Sequence, residues 1–543
     1  MRIWLPALLV LLALSSAISA ATPPLVKTAA GAVRGETVGT LHVFRGIPYA
    51  QAPVGLLRWK PPLPVPAWEG TREATRFGPA CVQPKLRPGS IYTWELPATS
   101  EDCLSLNIWA PAGAHDTPVF FWIHGGALTT GVGSDALYDG GKLARHGLIV
   151  VSINYRMGVL GYLAHPELSA ESPDNISGNY GLLDQIAALE WVKRNIAAFG
   201  GDPSNVTIAG ESAGALSVMY LMASPRAHGL FAKAIAESAY MISTPELRSA
   251  PFGDFAQEAV GTWLTGKLGA HDLAALRAMD ATAITEAAAK AGYLPFGAVD
   301  GKVLPRQLID VFDRGEQARV PILAGFNSGE IRSLRYLLPP PAADAAAYEK
   351  QIRARYADMA DAFLKRYPSS NMDESMLATT RDALYSWTAE RLVAKQTAIG
   401  APSYLYLFDH GYPAADEHAL HGFHASELPY VFGTADRTPP DWPKVPATQA
   451  EKSLSDAITD YWASFARSGV PHAKGQPDWH PYGTERAYLL LADQPRPETR
   501  VLPGMYEFVE HVVCREHARG GIPWNWNVGL ALAPLPPEAA QCR

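Results

Sequence analysis

Charge is scarce in these 543 residues: 18% are Asp, Glu, Lys or Arg, and 46 basic residues face 53 acidic ones for a net charge of -7. A protein that tracks nucleic-acid phosphates needs a basic excess, so that class is set aside. There are only four cysteines, none with zinc-type spacing, and no HExxH pair occurs, which favours chemistry without a metal or organic cofactor. No internal repeat is found, which removes solenoids and propellers. Beyond the first residues no run is both long and charge-free enough to cross a bilayer. What is abundant is apolar: 48% of the chain, enough for a large buried core.

The N-terminus, "MRIWLPALLVLLALSSAISAATPP", places Arg2 before an apolar run from Ile3 to Leu14, then small residues and prolines. That is the form of a secretory signal, residues 1–20, with cleavage after Ser19, Ala20 or Ala21, and the run is short for an uncleaved anchor. The mature chain, 21–543, is expected to be one elaborated soluble domain, secreted or periplasmic, with no stable membrane insertion. Cys81 and Cys103 enclose a proline-interrupted segment with little periodicity, which a bridge would tie down in an oxidising compartment. Cys514 and Cys542 are a second possible pair, left open because Cys542 lies in a Pro- and Ala-rich tail.

Short strands and turns are expected from about 27 to 60. "SLNIWAP" (105–111) alternates as a strand. "PVFFWI" and "LIVVSINY" read as denser buried strands, with "SDALYDGGKLARH" between them as a crossover helix. In "NYGLLDQIAALEWVKRNIAAFG", Leu182, Ile186, Leu189 and Val192 share one helical face. "NVTIAG" is a strand, "ALSVMYLMA" a helix, and "VPILAGFN" and "APSYLYLF" are further strands. Helical excursions are expected at about 245–300 and 343–398, the second broken near "RYPSSNMDES", and "LSDAITDYWASFARSG" is a late amphipathic helix. Dense strands alternating with helices imply an α/β fold whose large, mostly parallel sheet is covered on both faces. Ligand sites in such sheets lie beyond the carboxyl ends of the strands. The two glycine clusters, 125–126 and 210–214, fall at such ends.

The second cluster is Gly210-Glu211-Ser212-Ala213-Gly214. Small neighbours permit a sharp strand-to-helix turn that lifts Ser212 above the sheet, with the Ala213 amide and the helix N-terminus behind it. Alone it is equally a close-packed helix start. The first cluster, "HGGAL" at 124–128, supplies the context, because the amides of Gly126 and Ala127 can complete an oxyanion hole with Ala213. A serine nucleophile needs a base near neutral pH, hence a histidine. "HALHGFHASELPYVFG" offers His418, His421 and His424, among which spacing does not choose. Glu330, ending "GFNSGE", and Asp409, leaving the strand at 403–408, are rival orienting acids.

These motifs resemble the type-B carboxylesterases, the carboxylesterase and cholinesterase branch of the α/β-hydrolases, from about 25 to 510. "FRGIPYA" at 44–50, "SEDCLSLNI" at 100–108, "WIHGGAL" at 122–128, "NYRMGVLGYL" at 154–163 and the stretch from Gly178 to Gly214 carry the likeness in order. The resemblance implies Ser212 as nucleophile, His424 as base, Glu330 as acid and oxyanion amides at Gly126, Ala127 and Ala213. It also implies a Cys81–Cys103 disulfide, a buried carboxylate at Glu211, and an ion pair of Glu101 with Arg45 or Arg156. There are departures from the family's pattern. Ala127 replaces its third oxyanion glycine, Leu128 its following aromatic, and its usual Asp-Glu-Gly reads Gly-Glu-Ile around Glu330. Trp94 lies one residue out of step with the tryptophan that lines the cholinesterase choline site, and with Leu128 and Glu211 it is a candidate pocket residue. Arg332 and Arg335 follow the acid and are candidates for meeting an acidic substrate.

The implied activity is cofactor-free hydrolysis of a small-molecule ester through an acyl-enzyme, for which the serine, imidazole and carboxylate must form one hydrogen-bonded line. An amidase or lipase is the nearest alternative, and a non-enzymatic adhesion protein of the same fold a more distant one. Oligomeric state is not readable from the sequence.

Overall fold

The computed structural model describes residues 23–85, 89–241, 243–251, 255–520 and 529–542. The expected signal segment, 1–20, lies outside these. The main sheet has eleven strands. In chain order they are β1 Glu36–Val38, β2 Leu41–Pro48, β3 Ser105–Pro111, β4 Thr117–Ile123, β5 Ile149–Ile153 and β6 Gly201–Glu211. They continue with β7 Lys233–Glu237, β8 Ile322–Asn327, β9 Ser403–Phe408, β10 Ala487–Leu491 and β11 Pro495–Thr499. Their spatial order is β11-β10-β9-β8-β7-β6-β4-β5-β3-β2-β1. The seven strands from β10 to β5 in that order run parallel, and antiparallel strands flank them on both edges.

Alternation along the strands builds two cores. Val119, Phe121 and Ile123 of β4 face one layer with Leu182 and Leu189 of helix α1 (Tyr180–Asn195) and Leu216 of α2 (Ala213–Ala223). Phe120 and Trp122 face the other, against Ile458, Trp462 and Phe465 of the helix Gln449–Ser468. The four α1 residues read as one apolar face, Leu182, Ile186, Leu189 and Val192, are all buried. This is the α/β-hydrolase architecture that the resemblance implies.

Three details differ from expectation. The crossover between β4 and β5 is a single 3-10 turn, Ala136–Tyr138, and a five-residue helix, Gly141–Arg145. The Gly140–Gly141 pair splits what the sequence offered as one helix. In the first excursion, helices begin only at Gln257. Residues 245–251 form no helix but a bent segment, with Glu246 bridged to Val299, because Pro245 and Pro251 interrupt helical bonding. The second excursion holds helices from Ala345 to Ala398, with a π-helical turn, Asp382–Ser386, before the last.

Both cysteine pairs are bridged, Cys81–Cys103 and Cys514–Cys542, which settles the pairing left open for the second. The expected partners of Glu101 are a correction. Its carboxylate takes two hydrogen bonds from Arg58, both 2.6 Å, while Arg45 pairs with Glu36 and Arg156 with Asp184. Arg58 sits in the loop after β2 and also caps the carbonyl end of the helix Leu273–Ala278, reaching Leu276, Arg277 and Met279. Among the described residues no helix is long and apolar enough to cross a membrane.

Candidate active site

Strand β6 ends where its neighbour β4 ends, Gly210 in register with Ile123. Ser212 follows with φ +56° and ψ −121°, a conformation costly for any residue with a Cβ. The glycines around it explain how the turn fits. A Cβ on Gly214 would stand 2.1 Å from the Ile123 carbonyl oxygen, and one on Gly210 2.5 Å from the Gly214 carbonyl carbon. The Ser212 amide donates to the Glu237 carbonyl at 2.9 Å, anchoring the elbow to β7. Helix α2 starts at Ala213, so that amide has no acceptor within its own helix.

The turn after β4 has three successive positive φ values: Gly126 at 103°, Ala127 at 55° and Leu128 at 56°. The Gly126 carbonyl receives the amides of Thr129 and Thr130. No partner takes the amides of Gly126 and Ala127 among the described residues. His124 is buried, stacks on Tyr155 at 4.6 Å and is lowered to about 4 by burial, so it is neutral. Leu128, a candidate pocket residue, is buried in the core instead.

The three loop histidines part company. His418 is exposed. His421 lies between Asp409 at 3.2 Å and Asp416 at 3.0 Å, which raise it to about 9. His424 is buried, and its Nδ1 lies 2.5 Å from Glu330 Oε2. The loop is held from the Glu330 side. The Gly329 amide donates to Gly422 at 2.7 Å, and the Asn327 side chain donates to the Phe423 carbonyl at 2.8 Å.

The second imidazole nitrogen, Nε2, lies 3.1 Å from Glu211 Oε1. Burial opposes charge on His424, but Glu211 and Glu330 outweigh it and raise the imidazole to about 9. Burial raises Glu211 to about 7, with His424 opposing. Of the expected line, the imidazole–carboxylate link is present. Among the described residues no hydrogen bond joins Ser212 Oγ to His424. Glu211 Oε1 stands beside Nε2 in ion-pair contact but not in hydrogen-bond geometry.

Aromatic neighbours went unread in the sequence. Tyr92 donates to the His424 carbonyl at 2.9 Å and accepts from Ser333 Oγ at 2.8 Å, whereas Trp94, two residues on, is half-buried. Tyr385 stands 5.2 Å from the His424 ring, and Tyr240 packs on Tyr385. Arg332 and Arg335 are ion-paired with Glu374 and Asp373 on the helix Met372–Arg381. Among the described residues no cluster of metal-ligand type occurs.

The sequence profile of the carboxylesterase family matches residues 22–508. A fumonisin B1 esterase of Sphingopyxis macrogoltabida is 38% identical over 480 residues, covering 84% of each chain. The para-nitrobenzyl esterase of Bacillus subtilis is 38% identical over 490 residues, 87% of this chain and 95% of the relative. Among solved structures, a PNB esterase superposes with TM-score 0.78 at 33% identity, over 90% of this chain and 99% of the other. A Geobacillus stearothermophilus carboxylesterase gives 0.71 at 33% identity, over 89% and 99%.

Proposed function

The chain belongs to the carboxylesterase family and is a carboxylic ester hydrolase, and on that footing we propose that it works through Ser212 by an acyl-enzyme route. The observation that carries the reading is the buried contact of His424 with Glu330 at the mouth of the Ser212 elbow. His424, oriented by Glu330, takes the Ser212 proton as the oxygen attacks the ester carbonyl. The tetrahedral oxyanion rests on the amides of Gly126, Ala127 and Ala213. His424 then protonates the departing alcohol and activates the water that releases the acid. Catalytic hydrogen bonds are often loose in a free enzyme and tighten once substrate fills the site, which accounts for the open Ser212–His424 link.

The mature chain, from about residue 21, acts as one catalytic unit outside the cytoplasm. Its two disulfides and its N-terminal sequence support export. The ion pairs of Arg332 and Arg335 turn the reading away from an acidic substrate. Ser212→Ala decides the assignment: it should fold normally, lose nearly all ester hydrolysis and no longer take up a serine-directed organophosphate. Wild-type-like turnover by that variant would defeat the assignment.

A further inference from the structure

Four carboxylates converge beneath Ser212 and His424, and the proposed reaction uses only one of them, Glu330. Strands β6 and β7 end in register with Glu211 beside Glu237, so both side chains leave the same face of the sheet. Glu427, three residues after His424 and just before the short helix Leu428–Phe432, is wholly buried and takes a hydrogen bond from the Asn327 side chain at 2.5 Å. Glu330 completes the group.

Glu211 Oε1, Glu237 Oε2 and Glu427 Oε1 are each buried without a hydrogen-bond partner among the described residues. The Tyr406 hydroxyl on β9 is buried and unpartnered too, and it feels Glu427 and Glu237 most strongly. The cations nearby are few. His424 touches Glu211 and Glu330. Arg381 senses Glu330 but is tied to Asp382. Tyr138 and Tyr385 face the group with neutral hydroxyls. Four ionised carboxylates against one imidazolium would bury a large unpaired charge, which proteins avoid by retaining protons.

We propose that Glu237 is a neutral acid of this group: it keeps its proton at neutral pH, so that Glu211, its register neighbour, faces a carboxyl group and not a second anion. Glu330 and Glu211 then carry the negative charge on either side of His424. Burial and donor count single out Glu237 and Glu427, each wholly buried with one side-chain donor, Trp462 and Asn327 respectively, and of these two it is Glu237 that stands in register with Glu211. Glu330 is served by the Asn327 amide and by His424, and Glu211 faces the imidazole. Glu237 receives one hydrogen bond, from the Trp462 indole at 2.9 Å, and has no exposure at all. Burial first, with Glu211 adding to it, raises its carboxyl to about 8. Glu237 is therefore a positioning residue that acts through His424. Its neutrality keeps a third anion from the imidazole's surroundings and lets His424 release its proton at lower pH.

The test is infrared spectroscopy of the folded full chain at neutral pH, comparing wild type with Glu237→Gln. A protonated-carboxyl band that shifts in heavy water and vanishes in the variant is expected. If the glutamine chain does not fold, Glu237→Asp replaces it, and the band should move. The kcat/KM ratio of variant to wild type should also climb about threefold or more between about pH 7 and pH 10, as wild-type Glu237 ionises. A difference spectrum without the band, a band unmoved in the aspartate variant, or a ratio flat across that range overturns the proposal. The spectrum stands whether or not Ser212 is the nucleophile, so its failure is distinguishable from failure of the proposed mechanism.

Discussion

The Asn327 amide donates to Glu330 Oε1 at 2.8 Å while His424 meets Oε2 at 2.5 Å. One carboxylate thus uses its two oxygens on two different segments, a strand end and the loop that carries the imidazole. Glu330→Gln keeps the shape but puts an amide where an anion held the Nδ1 proton. Expected is a fall in kcat of about 1,000- to 10,000-fold with KM little changed, by analogy with the effect of amide replacement in a serine-protease triad. Steady-state kinetics of the purified variant reads it.

The pH dependence follows from His424. Its folded value, about 9, lies above the ordinary 6.5. The stability from charging it is complete below about 6.5 and is lost as pH rises through about 9. A base must be neutral to work, so kcat/KM should climb with pH and level off on the alkaline side. Glu211→Gln removes one of the two flanking anions and should lower that midpoint by about one unit or more. Paired pH–rate profiles check it, and coincident midpoints would contradict the electrostatic account.

Gly126→Ala tests the oxyanion turn. A Cβ there would lie 2.0 Å from the Thr130 carbonyl oxygen at φ +103°, so the turn must move. Misplacing one donor should cost about 100-fold in kcat, with KM much less affected. A transition-state analogue should weaken in parallel.

Arg58 and Arg45 separate a buried ion pair from an outer one. Arg58→Ala strands Glu101 and uncaps three carbonyls, an expected loss of about 3 kcal/mol or more. Arg45→Ala releases only the more exposed Glu36, for about 1 kcal/mol or less. Urea denaturation of both variants measures the contrast.

The sequence was legible where the physics is local. Unbroken apolar runs such as Val119–Ile123 declare buried strands, and the spacing in α1 declares its inward face. Strand β7 escaped because Lys233 and Glu237 bracket it. Such charges tolerate burial only through partners distant in sequence, the Asn205 side chain for Lys233 and Trp462 for Glu237. Three histidines within seven positions look alike until Asp409 and Asp416 are seen to occupy His421. Tyr92 rather than Trp94 reaches the His424 loop because the path of an irregular, disulfide-closed segment has no periodicity to read.

That segment ties the quality of any preparation to its redox history. The tether between Cys81 and Cys103 encloses Tyr92, which grips the backbone of the residue proposed as the general base. Molecules produced in a thiol-rich host would carry that strap unfastened. Two batches of equal purity would then differ in specific activity according to their free-thiol content, and an oxidative refolding step would bring them together.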